Sequence, residues 1–560
     1  MGVDSTSGWE NTLDFTLAPV QGFVGQARRT RDFWAGSYLI SYLMAHALKA
    51  VLDFPSLDAD DIVFPYVEGD PLLDAVRGTE MPKEQSARGA CVASLPNRFS
   101  AECEDPAMVG NAAAEAVREA WTNLVLKVWA RVCDELTKAC DYQDDLPELA
   151  RKDALPPTWA KQLHNHWEIY WVAGSGPRGI DQRKNWRQMY LYDETGEVCT
   201  MCGQRVVAFG SGLPRWKVRQ IWHDPGGIVD TMNSVWKYSF EDEHKERLCA
   251  LCLVKRIFPH VAPDAIGWPV PKHFPSTQKL AQIDSTDDSF PYYAILSMDG
   301  DNTGKHLSSN LDRRGDISRS VSKFSQGVPG IVKQHGGIVV YAGGDDVLAL
   351  LPARSALPCA ASLRAEFVKQ TSWAVPMTIS AAILYLHFMS PLQAGLATAQ
   401  ALLDDKAKED MGRDAFVLRV EKRSGSPLTI AKPWTIGGEE TKWASRIDDL
   451  STQVFGANDE GCSSRFLYKA SELLEPFALP EKDCSQKLDA VDMIPVLAAE
   501  YLRGPGALLD ISWNEAIDRM TELYQLCRWE PKETGGKQDR LLQPEALPLI
   551  RFLAQAKGVK

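Results

Sequence analysis

Apolar residues recur along this chain with two periods, and the change from one to the other marks its elements. Near the start, Leu13-Asp14-Phe15-Thr16-Leu17 alternates as a strand does, and Pro19-Val20-Gln21-Gly22 reads as a turn. Trp34, Tyr38, Leu39, Tyr42, Leu43, His46 and Leu48 then fall largely at helical spacing, which predicts a long helix with one apolar face. Residues 62–67 read as a second strand, with Glu68-Gly69-Asp70 as its turn, and residues 105–165 as mostly helical. Residues 196–258 break this style with Gly, Trp, Arg and paired cysteines. The Pro-rich stretch 259–285 reads as a linker.

The pattern is plainer from residue 292 onward. Strands are predicted at 292–298, 338–341, 347–351, 377–388 and 415–420. Between them, Ile317, Val321, Phe324, Val328, Ile331 and Val332 mark a helix with a kink at Pro329-Gly330, and 353–369 and 390–410 mark two more. The order β-α-β-β-α-β-α-β predicts an α+β fold, an antiparallel sheet backed by helices of the ferredoxin-like type. The first half echoes it as an internal duplication that lacks the glycines and paired aspartates of the second. Beyond about 430 the chain reads as helical, with candidates at 491–502, 513–529 and 547–556. The predicted domains are 1–195 with a helical insertion, 196–258, the linker 259–285, 286–425 and 426–560.

Composition narrows this picture. A chain of 560 residues is too long for one ordinary core. A net charge of −13 does not announce a nucleic-acid binder, and the run Arg28, Arg29, Arg31 reads as a solvated helix face. No apolar run reaches the length of about 18 residues that a membrane span needs. The N-terminus lacks the basic and apolar regions of a signal peptide, so the expected location is the cytoplasm.

The hairpin Gly343-Gly344-Asp345-Asp346 carries the candidate chemistry. Two glycines permit a tight turn and close approach of a ligand to the backbone. Two aspartates at the tip of an apolar hairpin serve no folding purpose, and a divalent cation, Mg²⁺ or Mn²⁺, would neutralise them. Asp299-Gly300-Asp301 ends the preceding strand, so Asp299 and Asp345 are expected to face one another across adjacent strands and share metal ions with Asp346. Two such ions would clamp the attacking and leaving oxygens of a phosphoryl transfer. Lys305 and Lys408 are candidate contacts to triphosphate oxygens, and Gly300, Asp301, Gly343 and Gly344 complete the expected nucleotide site.

The chain holds 12 cysteines, four of them in the pairs Cys199-x-x-Cys202 and Cys249-x-x-Cys252. Two such knuckles predict a closed, structural four-thiolate zinc site.

Together with Ala407-Lys408 and Gly412-Arg413, the acidic hairpin and strand end resemble nucleotidyl cyclases of the palm type. Residues 17–24, 27–38, 94–99, 168–173 and 246–252 resemble the Cmr-type large subunit of type III (subtype III-B-like) CRISPR effector complexes, over about 13–425. The resemblance implies two ferredoxin-like palm domains, the first degenerate, a zinc-binding insertion and a C-terminal helical domain. It implies a prokaryotic ribonucleoprotein for antiviral defence, with guide RNA, target RNA and other Cmr-type subunits as partners. The implied activity is target-RNA-activated synthesis of cyclic oligoadenylates from ATP, with Asp299, Asp345 and Asp346 holding catalytic metal. AMP transfer to S-adenosylmethionine, or a silent scaffold, are the alternatives. Many family members begin with an HD-type nuclease domain. Here His223-Asp224 lies inside the cysteine-bearing segment, and no HD-type DNase activity is expected.

Overall fold

A computed structural model describes residues 11–78, 90–150, 152–174, 179–180, 182–183, 194–237, 240, 246–272, 274–281, 290–435, 443–453, 462–478, 490–504, 511–532, 535–537 and 540–558. The chain divides into two compact units. One holds residues 1–274, 304–322 and 340–344, and the other holds 275–303, 323–339 and 345–560.

The first unit is built on β1 (Thr12–Ala18), β2 (Ile62–Phe64), β3 (Arg98–Glu102) and β4 (Glu168–Ala173), in the order β2-β3-β1-β4. β1 runs antiparallel to both neighbours, and Phe15 stacks on its cross-strand partner Phe99 at 4.9 Å. Helix α1 (Thr30–Leu52) lies where the periodicity puts it, but it does not show a single apolar face. Every residue from Thr30 to Ala45 is buried, Arg31 and Asp32 included. The arginine run is a solvated face only in part: Arg28 is exposed and Arg29 half-buried, both ahead of the helix, while Arg31 is buried on it. Arg31 is buried with a nitrogen 3.0 Å from the His260 ring, and Arg28 donates to the Thr200 carbonyl at 2.8 Å.

A buried ion cluster makes this possible. The Arg256 guanidinium donates to Asp32 at 2.5 and 2.8 Å and to Glu246 at 2.8 and 3.1 Å. A buried arginine is tolerated when its fork is filled by carboxylates in this way. Arg256 lies on helix α2 (Ala250–Ile266), which passes through Pro259 and Pro263. The expected linker thus begins inside a helix. Burial of Val254, Ile257, Phe258, Val261 and Ala262 outweighs the hydrogen bonds the prolines remove.

The second sheet consists of β5 (Tyr292–Gly300), β6 (Ile338–Gly343), β7 (Asp346–Pro352), β8 (Ile379–His387), β9 (Ala415–Glu421) and β10 (Leu428–Pro433), in the order β10-β9-β8-β5-β7-β6. Its four strands β8-β5-β7-β6 repeat the arrangement β4-β1-β3-β2 of the first sheet, with the first strand inside and the second at the edge. That shared order is the ferredoxin-like one, and it is where the duplication in the sequence resides. Helices Arg314–Gln334, Ala356–Thr371 and Leu392–Ala401 connect these strands as the periodicity predicts. β10 was not expected: it pairs with β9 inside the segment read as helical. Helices at 443–453, 464–474, 490–503, 513–527 and 546–556 follow among the described residues.

Candidate active site and thiol cluster

β5 is apolar from Tyr293 to Leu296 because both faces of this central strand are buried, and it turns acidic only at its end. It pairs antiparallel with β7 through Met298↔Val347. The same register continued by one residue sets Asp299 against Asp346, and by two sets Gly300 against Asp345. The structure therefore differs from the expected facing of Asp299 and Asp345. Residue counting along a hairpin cannot fix register, and here it lies one residue away. A two-residue turn, Gly344-Asp345, joins β6 to β7, and the φ of 63° at Gly344 is what a leading glycine supplies. Gly343 is buried at the end of β6.

The carboxyls of the hairpin are pushed above their ordinary range. For Asp345 the cause is the crowding of protein around it, opposed by the Thr303 hydroxyl and reinforced by the charge of Asp301. For Asp346 the cause is the same crowding, then the charges of Asp345 and Asp404. Asp345 is nevertheless only half-buried and Asp346 is exposed. Solvent screens part of these effects, and the direction of both shifts is upward. The Thr303 hydroxyl reaches toward Asp345 without hydrogen-bonding geometry and is buried with no partner.

Two predicted contacts behave differently from expectation. Asp301 is buried and turned inward. Its carboxylate accepts from Thr378 Oγ1 at 2.8 Å, Ser380 Oγ at 2.7 Å and the Asp414 amide at 2.9 Å. It ties the end of β5 to the start of β8 with both of its oxygens engaged. Lys408 is half-buried, and its ammonium touches Asp299 and lies 3.4 Å from Asp404. Burial, then the charge of Arg413, hold it down to about 8. The two carboxylates in contact favour its charged form and decide its state. Lys305 is exposed on the helix Thr303–Ser309.

Asp404 and Thr303 were not singled out in the sequence. Asp404 lies four residues before Lys408, a spacing that pairs side chains on a helix. The segment Leu402–Asp410 is π-wound, a local form frequent at functional sites.

The donor set fits a divalent cation: the hairpin carboxylates Asp345 and Asp346, the nearby Asp299 with Lys408 against it, and the buried Thr303 hydroxyl beside them. Asp345, Asp346 and Asp299 are the residues that would hold it.

The second constellation is the thiol cluster. The Sγ atoms of Cys199, Cys202, Cys249 and Cys252 all lie within 4.8 Å of one another, and Cys202 and Cys249 are 3.8 Å apart. A tetrahedron with Zn–S bonds of about 2.3 Å has edges of roughly that length. Hydrogen bonds from the other three thiols hold Cys202 well below the usual thiol range. The second pair is carried by the first turn of α2, and the peptide frame is stitched by Thr200 N to the Arg247 carbonyl and Cys199 N to the Arg205 carbonyl, both 2.8 Å. No disulfide joins the described cysteines. His223 closes the helix Arg215–His223, with its ring 3.4 Å from an Arg247 nitrogen. No described helix is long and apolar enough to cross a membrane.

Residues 292–417 match the family model described as Cas10/Cmr2, second palm domain. Residues 12–126 match the model described as CRISPR-associated protein Cmr2, N-terminal. The chain is 24% identical over 624 aligned positions to the CRISPR system Cmr subunit Cmr2 of Pyrococcus furiosus, covering 88% of this chain and 69% of that protein. Among solved structures it resembles a chain of the type III-B Cmr-beta complex in its apo state, with a TM-score of 0.63 at 14% identity over 97% of this chain and 81% of that one. It also resembles a chain of Cmr-beta bound to cognate target RNA, with a TM-score of 0.64 at 12% identity over 97% and 83%. These two likenesses speak for the fold.

Proposed function

The chain belongs to the Cas10/Cmr2 family, as a subunit of the type III-B kind, and from that premise we propose that its second palm makes cyclic oligoadenylates from ATP. Its partners are other Cmr subunits, guide RNA and target RNA, as the Cmr-beta complex bound to cognate target RNA suggests. Pairing of target with guide is the activating event.

One observation carries the reading. The β5–β7 register brings Asp299 to Asp346 at the mouth of a hairpin whose tip is Asp345, with the unpartnered Thr303 hydroxyl beside them. A structural site has no use for that collection.

A divalent cation bound there would supply Lewis-acid charge to phosphoryl oxygens and lower the pKa of a ribose hydroxyl. The remaining work belongs to the chain. Asp299, Asp345 and Asp346 offer the carboxylate oxygens. Lys305, exposed after the strand end, offers a point charge to a triphosphate. Asp301 takes no part in contact and instead fixes the strand end that carries Asp299. In the reaction a 3′-hydroxyl oxygen bonds to the α-phosphorus of another ATP. The bond to the bridging oxygen breaks, and pyrophosphate leaves. Closure of the ring repeats the step within one chain.

The thiol cluster fits zinc and serves as a closed structural site, since four protein ligands leave no position open for substrate.

The test is incubation of the assembled complex with ATP and Mg²⁺ or Mn²⁺, with and without cognate target RNA, followed by mass spectrometry. Cyclic oligoadenylates appearing only with target RNA support the reading. Unchanged ATP in both arms contradicts it.

A further inference from the structure

Lys408 stands where two carboxylates from different elements compete for it. Its ammonium touches Asp299 at the end of β5 and lies 3.4 Å from Asp404, four residues earlier on the π-wound segment. The Asp299 side chain is 25% exposed and that of Asp404 is 50% exposed, so both can be reached from solvent. Asp404 is itself aimed: Gln400 Nε2 donates to its Oδ2 at 2.8 Å, which leaves Oδ1 toward Lys408. A lysine carries its charge on a flexible four-carbon stem and can move it between such neighbours. While Lys408 neutralises Asp299, that carboxylate is a poor ligand for a second cation. A lysine expelled from it without another anion would be left with an uncompensated charge in a half-buried place.

We propose that Lys408 is the resident counter-ion of Asp299, that a divalent cation entering the acidic hairpin displaces it, and that Asp404 receives it. The inference rests on the metal reading given above. Asp404 is a positioning residue: it acts on the site through Lys408 and not through the cation. In the exchange Asp299 gives up one ammonium charge and the acidic hairpin gains the two charges of the cation, while the ammonium stays paired throughout.

The test is Mn²⁺ affinity of the full chain without nucleotide, read as free Mn²⁺ by electron paramagnetic resonance. Lys408→Gln tightens binding by about threefold to tenfold, the worth of a partly exposed ion pair that no longer has to be broken. Lys408→Arg keeps the charge and does not tighten it. Asp404→Asn weakens binding by about threefold in the native background. In the Lys408→Gln background Asp404→Asn changes nothing, because there is no ammonium left to receive. Thermal melting of each variant checks that it is folded. Unchanged or weaker binding in Lys408→Gln overturns the proposal. So does an Asp404→Asn effect that persists without the lysine, since Asp404 would then act on the metal directly. A chain carrying Asp345→Ala and Asp346→Ala separates the two levels. If the native chain binds Mn²⁺ no better than that one, the metal reading fails and takes this inference with it. Equal affinities of the native chain and Lys408→Gln, both above that baseline, overturn the counter-ion alone.

Discussion

Gly300 at the end of β5 and Asp345 in the turn between β6 and β7 fill the same space. A Cβ placed on Gly300 would stand 2.7 Å from both the Cβ and the Oδ2 of Asp345, and 2.7 Å from Thr303 Oγ1. Only glycine lets Asp345 lie against the end of β5. Gly300→Ala is expected to push Asp345 outward and lower the rate of ATP conversion by about tenfold or more, since small misplacements of reacting groups are costly. A parallel melting curve should shift little, because the hairpin tip can relax into solvent. Full activity in this variant would show that the position of Asp345 does not matter.

Asp301 and Asp345 should separate cleanly by what they damage. Asp301 accepts three hydrogen bonds in a buried place. Asp301→Ala strands those donors and is expected to cost on the order of 3 kcal/mol of stability. The more conservative Asp301→Asn should leave the KM for ATP unchanged where the protein remains folded. Denaturant unfolding and steady-state kinetics check the two halves of this statement. A raised KM with intact stability would restore Asp301 as a nucleotide contact.

These assignments mark where the sequence was legible. The Gly-Gly-Asp-Asp hairpin, the strand ending in Asp299 and the two cysteine knuckles are local patterns with local causes, and each is where periodicity put it. What escaped depends on partners distant in the chain. The sequence shows Asp299 and Asp301 two residues apart on one strand, but not that Thr378, Ser380 and Asp414 claim the second. Lys408 is visible as a lysine after a helix, but its contact with Asp299 needs the sheet to be assembled. Strands β3, β4 and β10 are five or six residues each. β3 and β4 sit beside strongly helical stretches whose longer period masks them. The uniform burial of α1 followed from Arg256, more than two hundred residues away, filling its fork with Asp32 and Glu246.

The thiol cluster should prove to be a structural zinc site. About one zinc per chain is expected by elemental analysis, with Cys252→Ser reducing it and lowering the melting temperature. Metal content that stays stoichiometric after replacement of both Cys249 and Cys252 would contradict this assignment.

The ion cluster on α1 predicts an acid response. Burial works against the charged form of Asp32, but Arg256 overcomes it and holds the carboxyl down at about 2. A depressed folded-state pKa stabilises the protein above the unfolded value, and that stability is lost as pH falls through the folded one. Asp32→Asn is expected to cost about 3–5 kcal/mol near neutral pH. The gap between native and variant should then shrink as pH drops from about 4 toward 2. Urea midpoints across that range measure it. A gap that is constant with pH would mean that the charge of Asp32 is not what stabilises α1.

The most direct test of the central claim is product analysis of complexes carrying Asp345→Asn with Asp346→Asn against native complexes, both supplied with ATP, a divalent cation and cognate target RNA. The account predicts cyclic oligoadenylates from the native complex and none from the variant, with target RNA bound equally by both. Equal product from both complexes would contradict it, because the chemistry would then lie outside the acidic hairpin.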